Sequence, residues 1–368
     1  MSGTPNRYLT VSLDAAEHEL PIDGAAPLGW GRDFYVDVFR ELERDHGVRG
    51  LVVYIVYRPP RVLSTVGANV VLVIVGDEFH RHRAYYRDVG CILRCYGASP
   101  VYRDGLPTSR LKLAALAAYL RKRVLWALSA GTVWRSTGRL GVAEAARKTL
   151  QVPLGTFGRF EPVRKPMAER GTDYAFLGSV AFDAAQLRLA HRLMPSPKVL
   201  SRELMLRAAA TIAARFRSRI RATGDFEQSI ASPEVYVTAM ADTRISLVPR
   251  GTCYETYRFF ESMKAGCIVV CEPQPDVWCY AGHPGIVVDD WRELPALVAA
   301  LLADEAGLAR RSAASLHWWR DCASEAAVAR RVAAFLRRTL SPNYAGPITA
   351  AVATNSSNSA IDTTPDTA

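Results

Sequence analysis

The chain has 368 residues, a formal net charge of +10, and 49% hydrophobic against 22% charged residues. This composition is that of a globular protein with room for two domains and a tail, and no apolar run reaches the roughly 18 residues that a membrane span requires. The N-terminus has no basic and then apolar signal pattern, so we expect a cytoplasmic location. Seven cysteines without tight Cys/His spacing then predict free thiols and no zinc site.

The first half of the chain alternates between apolar, β-branched runs and amphipathic segments. The expected strands are 8–13, 51–57, 70–75 and 91–96, and the expected helices are 34–45 and 108–129. Buried strands that alternate with helices indicate a parallel sheet. We therefore predict an α/β domain from residues 1–155.

A proline-bearing, charged stretch, 156–172, is expected to link this domain to a second one, 173–340. The second domain opens with a strand at 174–177 and a turn at Gly178 and Ser179. Terminal helices are expected over 305–340. The tail, 341–368, is rich in Ala, Ser, Thr and Asn and is expected to be disordered, because it cannot bury enough apolar surface to offset the entropy of ordering.

The segment 244–270, RISLVPRGTCYETYRFFESMKAGCIVV, carries the strongest functional pattern. It predicts a strand, a Pro-Arg-Gly loop, a helix from Tyr254 onward and a second strand. Ligands bind outside the carboxyl ends of such strands. Arg258 and Glu261 lie one helical turn apart, where the arginine can fork onto phosphate and the carboxylate can accept from ribose hydroxyls. The alternative is a salt bridge on a solvated helix face.

The runs LVPRG and RFFESMKAGCIVV resemble the C-terminal signature of exostosin-like glycosyltransferases, over residues 233–300. This resemblance implies a GT-B fold, in which two Rossmann-like domains face each other across a cleft and the last helix crosses back to the first domain. It also implies sugar transfer from a nucleotide donor. Ser262 and Val269 depart from the Ala and Pro that are usual in the family.

The resemblance also implies which residues bind the donor, a nucleoside-diphosphate sugar that serves as co-substrate. Arg250 and Arg258 would stabilise the leaving phosphate, and Glu261 would bind the ribose. The chain has no Asp-x-Asp motif, so we expect a metal-independent site without a further cofactor. The full set of expected donor-binding residues is Gly178, Ser179, Arg250, Gly251, Tyr254, Glu255, Arg258 and Glu261.

Glu255 and Glu261 have five residues between them, whereas retaining GT-B enzymes often have seven, so inversion is favoured. An inverting enzyme needs a base from the first domain. The loop after strand 70–75 supplies three candidates, and the loop before the first helix supplies three for acceptor binding. The former are Asp77, Glu78 and His80; the latter are Trp30, Arg32 and Asp33.

Each of these expectations has an alternative. Asp77 can cap the next helix, and the loop at 30–33 can serve in capping and packing. His82, His191 and His283 lack partnered spacing and are interpreted as structural or surface residues. The acceptor is left open among a glycan, a lipid-linked molecule and a nucleic-acid base, because the basic surface suits contact with a membrane or a nucleic acid. A non-catalytic GT-B-like binding protein is the third alternative.

Overall fold

The structure is a computed structural model that describes residues 4–12, 16–20, 28–29, 31–180, 196–223 and 233–340. The strands are β1 (Arg7–Val11), β2 (Glu17–Glu19), β3 (Val52–Val56), β4 (Gly67–Ile74), β5 (Val89–Arg94), β6 (Thr149–Gln151), β7 (Thr172–Ser179), β8 (Ser218–Thr223), β9 (Thr243–Val248), β10 (Ile268–Cys271) and β11 (Ile286–Val287). The helices are α1 (Arg32–His46), α2 (Arg110–Arg147), α3 (Pro197–Ala210), α4 (Pro233–Ala241), α5 (Tyr257–Lys264), α6 (Leu294–Ala303), α7 (Glu305–Trp318) and α8 (Glu325–Thr339). The expected tail, 341–368, lies outside the described residues, as do Trp30 and His191.

Two separate sheets organise the chain. The first has the order β2-β1-β3-β4-β5-β6, and all its pairs are parallel except the edge pair β1 and β2. The second is wholly parallel, with the order β11-β10-β9-β7-β8. The prediction of two Rossmann-like α/β domains is confirmed. The expected linker, 156–172, lies between the two sheets except for its last residue, which begins β7.

The last helix, α8, crosses back to the first domain and packs against α1. Phe39 and Leu42 of α1 share one buried core with Val332 and Leu336 of α8. Ser324 begins α8 as its N-cap, because its hydroxyl accepts from the backbone N–H of Ala327 at 3.3 Å. The crossing helix predicted from the resemblance is therefore present.

Three expected boundaries differ from the structure. The helix predicted from Tyr254 begins at Tyr257, because Thr256 has extended backbone angles (φ −142°, ψ 146°) and leaves Tyr254 in the preceding loop. Gly178 and Ser179 continue β7, because they pair with the end of β8, and do not form a turn. The helix predicted at 108–129 runs from Arg110 to Arg147, with one kink at Gly138.

No helix within the described residues is both long enough and apolar enough to cross a membrane.

Candidate active site between the two domains

A cavity of about 520 Å³, including solvent at its mouth, lies between the two domains. The first domain contributes residues from the loops after β4 and β5 and from one face of α2. The second contributes the start of α3, the loop after β9 and Pro275. Its lining includes His80, Tyr96, Tyr119, Lys122, Pro197, Arg250, Cys253, Tyr254 and Glu255. It thus lies at the carboxyl ends of parallel strands, where α/β sheets bind ligands.

Arg258 projects from α5 to the end of β7. Its Nε donates to the carbonyl oxygen of Leu177 at 2.9 Å, and its guanidinium lies 4.5 Å from the ring centre of Phe176. A Cβ on Gly178 would stand 1.9 Å from Nη2 of Arg258, so the glycine makes room for this side chain. Burial lowers the pKa of Arg258, and its buried Nη1 has no hydrogen-bond partner in the structure.

Arg202 and Lys198 of α3 place two further cations beside Arg258. Arg202 donates from Nε to the carbonyl oxygen of Arg250 at 3.3 Å and from Nη1 to the carbonyl oxygen of Ser179. Burial, and then the positive charge of Arg258, lower the pKa of Arg202 to about 9. Burial and the charge of Arg202 likewise lower the pKa of Lys198 to about 8. The three cations therefore repel one another at the end of β7, which favours an anion there.

The sequence interpretation did not assign a role to Lys198 or Arg202. The helix that carries them has a readable start, because Ser196 caps it and Pro197 occupies its first turn. Arg202 is buried whereas Arg207 on the same helix is exposed. This contrast depends on contacts with β7, which no local pattern of sequence displays.

Glu78 of the first domain lies within electrostatic reach of these cations. Its negative charge raises the pKa of both Lys198 and Arg202, against the larger effect of burial. Its side chain is half-buried, and its carbonyl oxygen lies 3.8 Å from Sγ of Cys253 in the second domain. Of the three base candidates, Glu78 is the carboxylate whose charge acts on these cations.

Asp77 is buried and engaged by two arginines. Its Oδ2 accepts from Nη2 of Arg94 at 2.6 Å, and its Oδ1 accepts from Nη1 of Arg81 at 2.8 Å. The backbone N–H of Arg81 also donates to Oδ2 at 2.6 Å. These bonds fix the loop after β4 and leave this carboxylate poorly placed to accept a substrate proton.

His80 adopts a left-handed backbone conformation (φ 52°), which is unusual for a residue other than glycine. Its Nδ1 lies 3.1 Å from the carbonyl oxygen of Gly97, an acceptor, so Nδ1 carries the proton and Nε2 is left with a lone pair. Burial, and then the charge of Arg94, lower the pKa of His80 to about 3. His80 is thus a neutral imidazole on the cavity wall.

Glu255, in the loop after β9 of the second domain, is a buried carboxylate that also lines the cavity. Burial raises its pKa to about 7, and the positive charge of Lys122 opposes that shift. Nε2 of Gln151 lies 3.4 Å from its Oε1. Lys122 of α2 reaches across the cleft, where its Nζ donates to the carbonyl oxygen of Thr252 at 2.8 Å. The sequence interpretation assigned no role to Lys122.

Glu261 lies on α5 one turn after Arg258, as expected, but no ion pair between these two described residues is present. Its Oε1 accepts from the backbone N–H of Phe157 at 3.0 Å, and its Oε2 accepts from the hydroxyl of Tyr236 at 2.6 Å. Burial raises the pKa of this carboxylate. Glu261 therefore anchors α5 to the interdomain segment and to α4.

Arg250, another expected donor ligand, is buried in an ion network. Its Nη1 donates to Oδ2 of Asp104 at 2.9 Å, its Nη2 donates to Oδ1, and its Nε donates to Glu272. The hydroxyl of Tyr254 donates to Oδ2 of Asp104 at 2.7 Å. Near them, a Cβ on Gly251 would lie 3.1 Å from the carbonyl oxygen of Glu255. These residues join the domains, and a phosphate would compete with two carboxylates for Arg250.

The remaining expected residues make local contacts. Asp33 accepts from the backbone N–H groups of Leu28 and Gly29 at 3.1 and 2.8 Å, and Arg32 donates to the carbonyl oxygen of Gly29 at 3.3 Å. These bonds hold the loop before α1 in place, although Gly31 is the N-cap of that helix and no side chain caps it. His82 packs on Trp126, with ring centres 5.7 Å apart, and His283 packs on Phe259 at 5.2 Å.

The described part of the chain contains no group of three or more His, Cys, Asp or Glu residues that could hold a metal ion. Each of its cysteines is a free thiol, in agreement with the sequence prediction.

No known family model and no curated protein matches the sequence. Among solved structures, sucrose-phosphate synthase from Thermosynechococcus elongatus aligns at 13% identity and TM-score 0.43, over 91% of this chain and 98% of that one. HepE of Anabaena in complex with UDP aligns at 11% identity and TM-score 0.39, over 91% and 100%. AviGT4, a glycosyltransferase involved in avilamycin A biosynthesis, aligns at 13% and 0.39, over 92% and 98%. At these values, the assignment of the fold rests on the two sheets and the crossing helix.

Proposed function

We propose that this chain is a GT-B glycosyltransferase of the exostosin-like type, which moves a sugar from a nucleoside-diphosphate donor to a hydroxyl acceptor. One observation carries the proposal. Lys198, Arg202 and Arg258 converge at the carboxyl end of β7, where burial lowers the pKa of all three and neighbouring guanidinium charges lower those of Lys198 and Arg202 further. A diphosphate placed among them would relieve that repulsion and give the unpartnered Nη1 of Arg258 an acceptor.

The same three cations would favour the chemical step. As the bond between the anomeric carbon and the phosphate oxygen breaks, negative charge grows on the departing diphosphate. Fixed cations in a partly buried site stabilise that charge without having to reorganise. They fill the role that a divalent metal has in other glycosyltransferases, which is the basis for proposing a metal-independent reaction.

Glu78 is our candidate for the general base, with the donor phosphates and Glu78 on opposite walls of the cleft. In this scheme the acceptor hydroxyl attacks the anomeric carbon, its proton moves to the Glu78 carboxylate, and the nucleoside diphosphate leaves from the opposite face. The configuration at the anomeric carbon is therefore inverted. The neutral His80 would accept a hydrogen bond at Nε2 from the incoming sugar or acceptor.

Glu261 keeps its expected role in binding the ribose as part of the proposal. The carboxylate is bonded to Phe157 and Tyr236, so it holds α5 in position as well. A Glu261→Gln variant separates the two contributions, because the amide retains an oxygen for one donor but cannot accept at both positions. Loss of ribose binding would make the variant discriminate poorly between nucleoside diphosphates and inorganic pyrophosphate.

The decisive experiment is calorimetric titration of the full chain with UDP, GDP, ADP, CDP and dTDP. We expect one or more of these to bind, and Arg202→Ala to weaken that binding at least about tenfold, the effect of losing a charge-assisted hydrogen bond. Arg207→Ala on the exposed face of α3 is the matched control and should bind like the wild type. Absence of binding by every diphosphate would refute the proposal.

A further inference from the structure

The outer face of α2 exposes a row of large apolar side chains. Leu120, Val124 and Leu128 are 53%, 59% and 64% exposed, and Leu113 and Trp134 are similarly open. Their spacing of four to seven residues puts them along one side of the helix. Leu113, Leu120, Val124, Leu128 and Trp134 are called the outer stripe below.

This stripe is not a scatter of ordinary surface residues. Six of the fourteen strongly exposed large apolar side chains in the described residues lie on α2, counting Leu125 beside the stripe. Proteins that stay free in water rarely expose a contiguous apolar band of this length, and such bands usually mark an interaction surface.

The opposite face of α2 contacts the rest of the protein. Leu111 and Ala114 pack against Leu200 of α3, while Ala115 and Lys122 line the interdomain cavity. The outer stripe therefore belongs neither to the core nor to the cleft.

Basic side chains accompany the stripe. Residues 110–143 contain seven Lys or Arg and no Asp or Glu. Arg110, Arg121 and Arg135 are exposed. Arg121 precedes Val124 by three residues and Leu128 by seven, so its cation lies at the border of the apolar band.

We propose that α2 docks this protein, in the plane of the interface, on an anionic lipid surface. A helix with a leucine- and tryptophan-bearing face bordered by arginines is suited to lie among phospholipid headgroups, where the apolar residues enter the acyl boundary and the arginines meet phosphates. The charge complementarity is what selects this partner. A nucleic acid would bind the arginines and leave the aliphatic residues without a role, and a second copy of this basic helix would be repelled.

Docking through this face brings the lipid surface to within one helix diameter of the cavity, because the two lie on opposite sides of α2. The inference does not depend on the chemistry proposed for that cavity.

The test is co-sedimentation of the full chain with vesicles of phosphatidylcholine alone or mixed with phosphatidylglycerol. We expect binding to the mixed vesicles, a decline as salt is raised, and a loss of at least about tenfold in Leu120→Gln/Val124→Gln/Leu128→Gln, because the polar side chains no longer enter the acyl boundary. Val62→Gln/Val66→Gln/Val163→Gln, at exposed positions away from α2, is the matched control and should bind like the wild type. The variant and the control should have the same circular dichroism and melting temperature.

A second readout uses Trp134. Its emission, taken as the difference between the wild type and Trp134→Phe, should shift to shorter wavelength when phosphatidylglycerol vesicles are added. The proposal is overturned if mixed vesicles fail to sediment the chain, or if the triple variant binds them as well as the wild type. It is also overturned if ultracentrifugation shows that the wild type is a dimer and the triple variant a monomer. Binding of DNA rather than lipid, in a manner that depends on Arg121 and Arg135, would overturn it as well.

Discussion

Arg250 of the second domain and Asp104 of the first form a two-pronged ion pair across the cleft, with Nη1 2.9 Å from Oδ2. Both side chains are buried, and Glu272 holds the Nε of the same arginine. The carbonyl oxygen of Arg250 in turn accepts from Arg202. This contact between the domains is thus bonded directly to one of the cations proposed to bind diphosphate.

Asp104→Asn should destabilise the protein by about 1 to 3 kcal/mol, because the amide nitrogen cannot accept from the guanidinium and leaves a buried N–H of Arg250 without its acceptor, while Glu272 still balances the charge. Equilibrium unfolding in urea measures the change. Asp276→Asn is the control, since the Asp276 carboxylate is exposed and lies 4.0 Å from Arg103. Equal stabilities for the two variants would show that the pair contributes little to domain closure.

Lys198 should make nucleotide binding depend on pH. Its pKa of about 8 means that it loses its charge as the pH rises from 7 to 9, and bound phosphate would raise that pKa. Affinity for the best diphosphate should therefore fall through this window in the wild type and fall less in Lys198→Arg, where Arg202, with its pKa of about 9, still titrates. Titration in two buffers of different ionisation enthalpy should also detect proton uptake at pH 8. A wild-type profile that Lys198→Arg leaves unchanged would exclude Lys198 from the site, and Lys165→Arg serves as the control.

Glu78→Gln should separate binding from turnover. Loss of the base should reduce release of nucleoside diphosphate from the donor by about 10² to 10⁴-fold. Affinity for the product diphosphate should rise, because the carboxylate no longer offsets the charges of Lys198 and Arg202. Glu161→Gln at an exposed position should change neither quantity. Full turnover in Glu78→Gln would show that another group is the general base.

Gly178→Ala should weaken diphosphate binding at least about tenfold, since the new Cβ would displace the guanidinium of Arg258 and cost a charge-assisted bond. Gly131→Ala is the matched control, because an added Cβ at this helical position meets no atom within 4 Å. A Gly178→Ala protein that binds normally would mean that Arg258 is not a phosphate ligand.

Glu255 should impose a pH dependence on stability. Its pKa in the folded protein, about 7, lies above the ordinary glutamate value of 4.5, so its contribution to stability is favourable below pH 4.5 and is lost as the pH rises through 7. Glu255→Gln should remove this loss and be more stable than the wild type above pH 7 by on the order of 3 kcal/mol, at about 1.4 kcal/mol per pKa unit. Urea unfolding at pH 5 and pH 8 tests the sign, with Glu203→Gln as an exposed control. Parallel pH profiles for wild type and Glu255→Gln would contradict it.

The sequence predicted the elements better than their contacts. The runs at 51–57 and 70–75 are strongly β-branched, so their strands were recognisable, and the short-range pattern at 244–270 predicted two strands and a helix. The partners of Arg258 and Glu261 could not be predicted in this way. Leu177 lies 81 residues before Arg258, and Phe157 lies 104 before Glu261, so their meeting depends on the whole domain.

The same reason explains the residues that were missed. Arg202 and Arg207 are the same residue type on the same helix. Arg202 is buried because it contacts the end of β7, whereas Arg207 is exposed. Asp77 and Glu78 are adjacent, yet Arg94 on the next strand engages Asp77, whereas the charge of Glu78 acts on Lys198 and Arg202. Residue type limited which side chains were candidates for the site. Contacts between residues far apart in the sequence determined which candidates are placed to act.

The crossing of α8 onto α1 has a consequence for the order in which this protein folds. Phe39 and Leu42 of the first domain are covered by Val332 and Leu336, which leave the ribosome almost 300 residues later. The apolar side of α1 is therefore not covered by α8 until synthesis is almost complete. A fragment ending at residue 155 should expose that side and aggregate, and adding α8 in trans as a separate peptide should restore its solubility.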